Sequence, residues 1–525
     1  MTGGSGRPGP PLDSDTGGPF QFLRIFLCGR RFGGRLKIMK VNPQIFRGYD
    51  LRGLVGKDLS PELAEHLGKA FGTYLGRRGI TAVVVARDCR ATSPAYAEAL
   101  IKGLSWTGAD VIDIGMHLVG TFYWAQYYLK RPGGVYVSAS HNPPEYNGFK
   151  FANDYSETLV SDGMAELRRL VEEEDYESAD QLGPVKQQDI RQAYFDDLLA
   201  RLPLKQHFKV VVDPGNTTAG AIAPELLRQA GCEVTERHTK VDSSFPLGVA
   251  DPTETRVLDR VRDEVLSAGA DLGFTYDSDG DRIGIVDEQG GLIWNDVLVA
   301  LFAADVLREH PGAIIMYNIL CSRVVPETII AHGGKPFMWR VGHSFLKKKN
   351  QEVKAAFIGE LSGHFFFSAD FYNHDDGLYS TLRLLRYLDS TGQTLSGAVA
   401  ALPQYIASPE IKLACPDDKK VALVQQLGPR LRRDYPEAEV TDDERAGDGI
   451  RLDLPTAMFV LRYSQNGPYL TVRFEAKTRA EYDRLKHYIT NLLHQFPEID
   501  WSPDISVNVN LGALAQPEAA SASKA

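Results

Sequence analysis

A serine at the end of an apolar run is the first group in this chain with the setting for covalent chemistry. Residues 135–149 read Val-Tyr-Val-Ser-Ala-Ser-His-Asn-Pro-Pro-Glu-Tyr-Asn-Gly-Phe, so a strand-like stretch leads into Ser140 and then into two prolines. The prolines stop a helix or a ladder strand, and His141 and Asn142 can fix a turn through local hydrogen bonds. The pattern predicts Ser140 at a rigid, exposed strand end, where it can carry a covalent group during catalysis. An ordinary polar turn is the alternative that this segment alone leaves open.

Three carboxylates in one short turn form a second group of candidate ligands. Asp277, Asp279 and Asp281 alternate with small residues between the apolar stretches 272–276 and 283–286. Clustered anions between strands repel one another unless a cation binds them. Oxygen ligands at this density suit Mg²⁺ or Ca²⁺.

A calcium-binding EF-hand is the rival interpretation of the same turn. Counting Asp277 as position one places Glu288 at position twelve, but position six is Arg282 where an EF-hand has glycine. The residues that follow also have the pattern of a strand and not of a helix. A different metal site is therefore favoured, and a solvated acidic turn is the remaining alternative.

A third motif combines groups that can grip sugar hydroxyls. Gly-Glu-Leu-Ser-Gly-His at residues 359–364 follows the apolar stretch 355–358. Glu360 can accept hydrogen bonds from two hydroxyls, while Ser362 and His364 can donate or accept, so the set suits a polyol. Taken alone, a glycine turn is the simpler interpretation.

Together, and in this order, the three motifs resemble those of the α-D-phosphohexomutase family, most closely its bacterial phosphomannomutase/phosphoglucomutase branch. The resemblance extends over about residues 41–500. It also covers four further segments, Phe46-Arg47-Gly48-Tyr49-Asp50-Leu51-Arg52-Gly53, Arg87-Asp88-Cys89-Arg90, Trp339-Arg340-Val341-Gly342-His343-Ser344 and Leu461-Arg462-Tyr463-Ser464.

The resemblance implies an Mg²⁺-dependent isomerase that carries a phosphoryl group on a serine. Ser140 would be the phosphoserine, and Mg²⁺ would bridge its phosphate to Asp277, Asp279 and Asp281. Arg282 would contact the transferring phosphoryl group, because a guanidinium fork suits phosphate oxygens. A salt bridge from Arg282 to the neighbouring aspartates is the alternative.

The implied reaction interconverts hexose 1-phosphate and hexose 6-phosphate, of mannose or glucose, through a hexose 1,6-bisphosphate that also serves as activator. Lys150, Arg52 and His364 match family positions that handle proton transfer and phosphoryl charge or lie near the sugar. A surface or core role is the alternative for each such residue on its own. The substrate-binding positions implied by the resemblance are Tyr49, His343, Glu360, Ser362, His364, Arg462, Ser464 and Asn466.

Two departures from the family pattern leave the preferred sugar open. The phosphate loop of the fourth domain keeps Arg462 but has Asn466 where relatives have threonine. Leu320 stands where relatives have lysine, and Arg323 or Arg340 could supply the missing cation. Two further hypotheses therefore accompany the mannose/glucose mutase. One is a phosphoglucosamine mutase, which has Gln where this chain has Leu361, and the other is a catalytically silent sugar-phosphate-binding protein.

The bulk properties describe a large globular protein with no nucleic-acid or membrane partner. The chain has 525 residues, 43% apolar and 24% charged, with a net charge of -10 and a pI of about 5.7. Five cysteines lie far apart, which favours a reducing compartment, and no apolar run approaches the ~20 residues of a membrane span. The resemblance implies sugar phosphates as partners, and the cytoplasm is the expected location.

Alternating strand and helix patterns predict an α/β protein built from four successive units. The resemblance implies three similar mixed α/β domains and a smaller, distinct α+β domain, all around one cleft. Strands are expected at 81–86, 134–139 and 209–213, helices at 61–77 and 95–106, and a charged linker at 172–188. The predicted segments are a disordered or non-native extension (1–40), a phosphoserine domain (41–187), a metal-binding domain (188–291), a sugar-binding domain (292–405), a phosphate-binding domain (406–510) and a disordered tail (511–525).

Overall fold

Four separate β-sheets organise the chain in the computed structural model, which describes residues 41–465, 467–505 and 507–514. The first three sheets mix parallel and antiparallel strands, and the fourth is antiparallel. The predicted fold class is therefore confirmed. The predicted extension 1–40, residues 515–525 of the predicted tail and Asn466 lie outside the described residues. The prediction of a disordered tail is wrong for residues 511–514, because Leu511–Ala513 form a 3₁₀ helix and Leu514 is buried in the same core as Phe459 and Leu461. We refer to each sheet with its helices as the first to fourth domain.

The first domain places the serine motif at the end of a buried strand. Its sheet has the order β1-β5-β4-β2-β3-β7, with β6 beside β5. Helix α1 begins at a side-chain cap from Ser60 followed by proline, as its sequence predicts. The strands are β1 (Leu51–Leu54), β2 (Ala82–Arg87), β3 (Asp110–Met116), β4 (Gly133–Val137), β5 (Tyr146–Asp154), β6 (Glu157–Thr158) and β7 (Val185–Gln187), and the helices are α1 (Pro61–Gly76), α2 (Ser93–Trp106), α3 (Val119–Tyr128) and α4 (Asp162–Glu173).

One expectation about this region is wrong. Residues 172–188 were expected to form a charged linker, but their start closes α4 and their end is β7, which pairs in parallel with β3. The polar sequence of β7 reflects its position at the sheet edge, where all of its residues are exposed.

The second and third domains follow the same alternation. The second sheet has the order β12-β11-β10-β8-β9, and the third has the order β14-β13-β15-β16. The second domain contains α5 (Arg191–Arg201), β8 (Lys209–Val212), α6 (Ala223–Gln229), β9 (Glu233–Glu236), α7 (Thr255–Ala268), β10 (Leu272–Tyr276), β11 (Ile283–Asp287) and β12 (Leu292–Ile293). The third contains α8 (Asn295–Glu309), β13 (Ile314–Asn318), α9 (Val324–Ala331), β14 (Lys335–Trp339), α10 (His343–Val353), β15 (Phe357–Gly359), β16 (Phe365–Phe366), α11 (Gly377–Thr391) and α12 (Leu395–Ala400).

The fourth domain packs two long helices against one face of its sheet. Its sheet has the order β17-β22-β21-β20-β19, with β18 also paired to β22. The elements are β17 (Ile406–Ala407), β18 (Ile411–Ala414), α13 (Asp417–Asp434), β19 (Glu439–Thr441), β20 (Gly449–Asp453), β21 (Ala457–Tyr463), β22 (Tyr469–Ala476) and α14 (Arg479–Leu493).

The strands of the fourth domain present alternate residues to two different neighbours. In β21, Phe459 and Leu461 join the core beneath the helices, whereas Met458 and Val460 join the larger core shared by the first three domains. Successive residues of a strand point to opposite faces, so the second face of this sheet is turned toward the other domains. None of the described helices is long and apolar enough to cross a membrane.

The turns that carry the three motifs are joined by contacts between domains. The Val119 amide of α3 donates to the Asp279 carbonyl at 2.9 Å, and the Gly377 amide of α11 donates to the Gly280 carbonyl at 3.2 Å. Arg282 also forms an antiparallel bridge with His364. The acidic turn of the second domain is thereby fixed to both the first and the third domain.

Candidate active site

Ser140 lies in a strained turn after β4, where the first domain meets the acidic turn of the second. Its φ is +48°, a left-handed value that is unusual for serine and typical of functional turns. Its amide donates to Ser138 Oγ at 2.8 Å, and its own Oγ donates to Asp277 Oδ2 at 2.8 Å. Only 3% of Ser140 is exposed, so the expectation of an exposed strand end is wrong. The acidic turn of the second domain covers the serine.

Arg90 holds this turn in place. Its two Nη atoms donate to four backbone carbonyls of residues 140–146, including those of Ser140 and Asn142, both at 2.6 Å. Its Nε pairs with the buried carboxylate of Asp88 at 3.1 Å. The Arg87–Arg90 motif thus has a positioning function that its sequence did not reveal.

Arg52 supports the same turn from β1. Its Nη1 donates to Asn142 Oδ1 at 2.7 Å, and its Nε donates to Asp50 Oδ2 at 2.8 Å. The guanidinium therefore lies beside the serine turn, on the cleft side of the first sheet.

The three carboxylates form one buried cluster in the β10–β11 turn. Carboxylate oxygens of Asp277, Asp279 and Asp281 all lie within 4.8 Å of one another. Burial, together with the charges of Asp281 and Asp279, raises the pKa of Asp277 well above its ordinary value. Among the described residues, the Oδ1 atoms of Asp279 and Asp281 have no hydrogen-bond partner. Buried carboxylate oxygens without a hydrogen bond fit a small hard cation, so these residues can hold a divalent metal ion.

Two cations flank the cluster. Lys150 Nζ lies 2.9 Å from Asp279 Oδ2 and 2.7 Å from Asp281 Oδ2. Burial lowers the pKa of Lys150, but the two carboxylates outweigh it and the pKa is raised well above its ordinary value. Arg282 Nη2 contacts His141 and lies 3.4 Å from Ser140 Oγ, while its Nε lies 3.2 Å from Asp277 Oδ2.

Arg282 is held from outside the acidic turn as well. The Asp251 carboxylate, which precedes α7, lies 3.5 Å from Arg282 Nη1. Arg282 therefore lies close to both Ser140 and the aspartates. This position is compatible with phosphoryl binding and with the alternative of a salt bridge to the neighbouring aspartates.

The sugar motif forms a tight loop between β15 and β16. The Glu360 amide donates to the His364 carbonyl at 3.0 Å, and Gly363 has a φ of +94° that favours glycine. Glu360 Oε1 accepts from Asn318 Nδ2 and from the Gly342 amide, both at 3.0 Å. These two donors thus fix the orientation of the Glu360 carboxylate.

Two stacked histidines share one carboxylate. The rings of His343 and His364 are 4.9 Å apart, and Asp375 Oδ2 lies 2.7 Å from His364 Nδ1 and 3.4 Å from His343 Nδ1. Burial, then the charges of His364 and Lys347, lowers the pKa of His343 well below its ordinary value. Burial opposes charge on His364 too, but Asp281 and Asp375 raise its pKa. The pair therefore combines a neutral with a readily protonated imidazole.

Residues from all four domains line one cavity of about 150 Å³. The Tyr49 ring stands edge-on to His343 at 5.0 Å on this wall. The predicted site residues that the cavity brings together are Tyr49, Arg52, Ser140, Lys150, Asp281, Arg282, His343, Glu360, Ser362, His364 and Arg462.

The remaining predicted residues lie elsewhere. Asp277 and Asp279 are fully buried behind Ser140, and Ser464 is buried outside the cavity lining, with its carbonyl accepting from Lys420 Nζ at 2.6 Å. Asn466 falls outside the described residues. Leu320 does line the cavity.

Neither arginine proposed as a substitute for a lysine at position 320 lines this cavity. Arg323 Nη1 lies 3.4 Å from Asp453 Oδ1, and the Arg340 guanidinium lies over the Phe345 ring at 4.2 Å. The expected substitution is wrong for both residues, because each side chain is engaged elsewhere.

Sequence reasoning missed four residues that take part in the arrangement. Arg90 belongs to the Arg87–Arg90 segment, to which the sequence assigned no function, and Asp251 and Asp375 gave no local signal. Lys412 lies on β18, between Ile411 and Leu413. The alternation in Ile-Lys-Leu places the lysine on the face opposite the helices, and this pattern could have identified it.

Comparisons with known proteins identify the family of this chain. Models of the α/β/α domains I, II and III of phosphoglucomutase/phosphomannomutase match residues 43–178, 192–291 and 294–405. A phosphomannomutase/phosphoglucomutase of Pseudomonas aeruginosa is 39% identical over 451 residues, covering 86% of this chain and 95% of the relative.

Solved structures give the same result. A Burkholderia thailandensis phosphoglucomutase/phosphomannomutase family protein has a TM-score of 0.80 and 33% identity, covering 88% of this chain and 99% of that one. An N-acetylphosphoglucosamine mutase of Aspergillus fumigatus, solved with GlcNAc-6P and magnesium, shares the fold at a TM-score of 0.57 and 14% identity, with 87% and 96% of the two chains covered.

Proposed function

Because the chain belongs to the phosphoglucomutase/phosphomannomutase family of α-D-phosphohexomutases, which are isomerases, we propose that it interconverts hexose 1-phosphates and hexose 6-phosphates through a phosphoserine at Ser140. The observation that carries this proposal is the position of Ser140 Oγ. It lies 2.8 Å from an oxygen of the carboxylate cluster and 3.4 Å from Arg282, in one cavity with the Glu360 loop. A phosphate on this oxygen would meet a metal site, a guanidinium and a sugar site together.

The proposed reaction has two phosphoryl transfers. In the first, the bond between phosphorus and Ser140 Oγ breaks while a bond to the free sugar hydroxyl forms, and the hydroxyl proton passes to a group of the cleft. The Ser140 Oγ released in this way takes up a proton. In the second, the bond between the other phosphorus of the resulting 1,6-bisphosphate and its sugar oxygen breaks while a bond to Ser140 Oγ forms, and the serine hydroxyl proton passes through the cleft to the sugar oxygen. Phosphoryl transfer depends mainly on positioning and on compensating charge.

The residues of the cleft are suited to these tasks. Arg282 binds the moving phosphoryl group from the serine side, while Lys150 and Arg52 hold positive charge beside it. His364, between Asp281 and Asp375, is placed to accept or return the hydroxyl proton.

The metal belongs to the carboxylate turn. Asp277, Asp279 and Asp281, with the phosphorylated Ser140, would hold Mg²⁺, and this assignment is supported by the Oδ1 atoms of Asp279 and Asp281, which have no hydrogen bond among the described residues. The ion supplies Lewis-acid compensation of phosphate charge when bound.

Mannose and glucose phosphates are the proposed substrates. Glu360, oriented by Asn318 and Gly342, can accept hydrogen bonds from neighbouring sugar hydroxyls. A trace of hexose 1,6-bisphosphate would act as activator, because it phosphorylates a Ser140 that has lost its phosphate.

A coupled assay tests the proposal. Purified enzyme with Mg²⁺ and a trace of glucose 1,6-bisphosphate should convert glucose 1-phosphate to glucose 6-phosphate and should act likewise on mannose 1-phosphate. Ser140→Ala should be inactive. Binding of these substrates without conversion would identify a silent binding protein, and conversion of glucosamine 1-phosphate alone would identify a glucosamine mutase.

A further inference from the structure

One of the cations around the cavity stands apart from the others. Arg52, Lys150, Arg282, Lys412 and Arg462 line the cavity. The first three and Arg462 each lie within 4.0 Å of at least one carboxylate. Within residues 41–465, 467–505 and 507–514, no carboxylate lies within this distance of Lys412 Nζ. Its charge is therefore not taken up by a direct ion pair within these residues.

The register of the fourth sheet brings Lys412 next to Arg462. Strand β22 lies between β18 and β21, and its residue Thr471 is opposite Lys412 on one side and opposite Arg462 on the other. Directly opposed residues of antiparallel strands point to the same face. Lys412, Thr471 and Arg462 consequently form one row across three strands, on the face turned to the other domains.

The spacing of this row suits one phosphate. Two strand separations place the backbones of Lys412 and Arg462 about 10 Å apart. Both side chains are long, and both line the same cavity, so they can converge on one anion above Thr471. The Asp448 carboxylate orients Arg462, because it accepts from Arg462 Nε at 3.0 Å and from Arg462 Nη2 at 2.6 Å.

We propose that Lys412 adds a second cation to the phosphate site of Arg462 and so contacts the substrate phosphate that is not being transferred. This inference rests on the proposed mutase function and extends it, because the phosphate site then spans β18, β22 and β21 and is not confined to the loop that follows Arg462. It also assigns a substrate contact to a residue that lies outside every motif of the sequence.

The surroundings of Lys412 favour a ligand contact over a structural function. Its ammonium lies 5.7 Å from the ring centre of Tyr469, which also lines the cavity. Burial lowers the pKa of Lys412, but Glu410, Tyr469, Asp251 and Glu254 raise it overall, so the side chain stays protonated. Glu410 and Asp251 also line the cavity and would repel a phosphate, and Lys412 offsets their charge.

Equilibrium binding tests the proposal without turnover. Glucose 1-phosphate and inorganic phosphate are titrated calorimetrically into the full-length Ser140→Ala protein, which serves as the reference. The same titrations are made with five variants in this background: Lys412→Met, Lys412→Gln, Lys412→Arg, Arg462→Ala and the double variant Lys412→Met/Arg462→Ala. We expect both neutral variants of Lys412 to weaken binding about 10- to 100-fold. Lys412→Arg should restore most of it. Lys419→Met removes a lysine of the same domain that is 56% exposed, and should bind normally.

The double variant tests whether one phosphate is shared. Its loss should be smaller than the product of the two single losses, because both residues act on the same group. The proposal would be overturned if the fold-loss of affinity in the double variant equalled the product of the two single fold-losses. It would also be overturned if both neutral Lys412 variants kept the affinity of the reference.

Failure of the mutase proposal is separately visible. If the enzyme with an intact Ser140 binds glucose 1-phosphate but converts none, the mutase proposal fails while the binding series still decides on Lys412. If conversion is normal and the neutral variants bind normally, only the Lys412 proposal fails. Absence of binding to both probes would overturn both.

Discussion

At the scale of single residues, the conformation of Ser140 depends on a few strong donors. A left-handed serine costs of the order of 1 to 3 kcal/mol unless its surroundings compensate. Arg90 compensates by donating to four carbonyls of the turn, and Ser138 by accepting from the Ser140 amide. The strained turn aims Oγ at the carboxylate cluster.

Ser140 is expected to carry phosphate in active preparations, because the proposed cycle ends with the phosphoryl group on this oxygen. Peptide mass spectrometry should find the modification on Ser140 and not on Ser138, whose Oγ accepts from the Ser140 amide. Labelling of Ser138 alone, or full activity in Ser140→Ala, would contradict the assignment.

Asp279→Asn should lower kcat by about 10²- to 10³-fold, because it removes one anionic ligand of the metal ion that compensates phosphate charge in the transition state. Excess Mg²⁺ should restore part of the activity, and the unfolding midpoint should change little. Ser278→Ala is the matched control in the same turn, because its buried Oγ has no partner among the described residues. An unchanged rate in Asp279→Asn, or a parental enzyme that stays active after chelation, would refute the metal assignment.

At the scale of elements, two buried arginines attach the fourth sheet to the third domain. Arg451 of β20 donates from Nη1 to the carbonyls of Ile319 and Cys321 at 2.6 and 2.7 Å, and Arg473 of β22 donates to the carbonyl of Leu320 at 2.6 Å. All three carbonyls belong to the turn after β13, which places Leu320 in the cavity wall. The same contacts therefore join the domains and shape the site.

Arg451→Met should destabilise this attachment by about 3 to 5 kcal/mol, because it leaves two buried carbonyls without their donor and leaves Arg323 as the remaining partner of the Asp453 carboxylate. We expect a lower midpoint in chemical unfolding and a higher KM. Arg445→Met is the control, since this arginine is 42% exposed and its ion pair with Asp443 lies at the surface. Equal midpoints for the two variants would show that Arg451 does not secure the fourth domain.

At the scale of the whole molecule, the cavity exists only where four domains meet. Ser140 comes from the first, the carboxylate turn from the second, the Glu360 loop from the third, and Arg462 and Lys412 from the fourth. Under the proposed function, a substrate that reacts at either end needs a second site for the phosphate that is not being transferred, and we assign this site to the fourth domain.

Arg462→Ala should reduce kcat/KM by roughly 10- to 150-fold, the effect of losing hydrogen bonds to a charged group. The loss should be similar in both directions, because the site would hold the 6-phosphate in one orientation of the sugar and the 1-phosphate in the other. Release of 1,6-bisphosphate into solution should rise as well. Forward and reverse rates with assayed bisphosphate provide the measurement.

Arg432→Ala, which removes a 47% exposed arginine paired with Asp442, is the control for this experiment. It should leave both rates unchanged. Parental KM values for Arg462→Ala in both directions would exclude Arg462 from phosphate binding.

Much of the fold and the types of reactive group were determined by the sequence alone. The predicted helix 61–77 and the predicted strands 81–86 and 209–213 correspond to α1, β2 and β8. Capping, proline positions and hydrophobic periodicity act over a few neighbouring residues, so they are visible in one sequence. The order of the three motifs likewise indicated the family.

Only the tertiary structure decided how these groups face one another. Ser140 is buried because a turn 137 residues away packs on it, and no local pattern carries that information. Arg90, Asp375 and Lys412 acquire their importance from neighbours in other elements, or from the absence of a nearby carboxylate among the described residues. Burial and ion pairing depend on distances through space, whereas sequence patterns report distances along the chain.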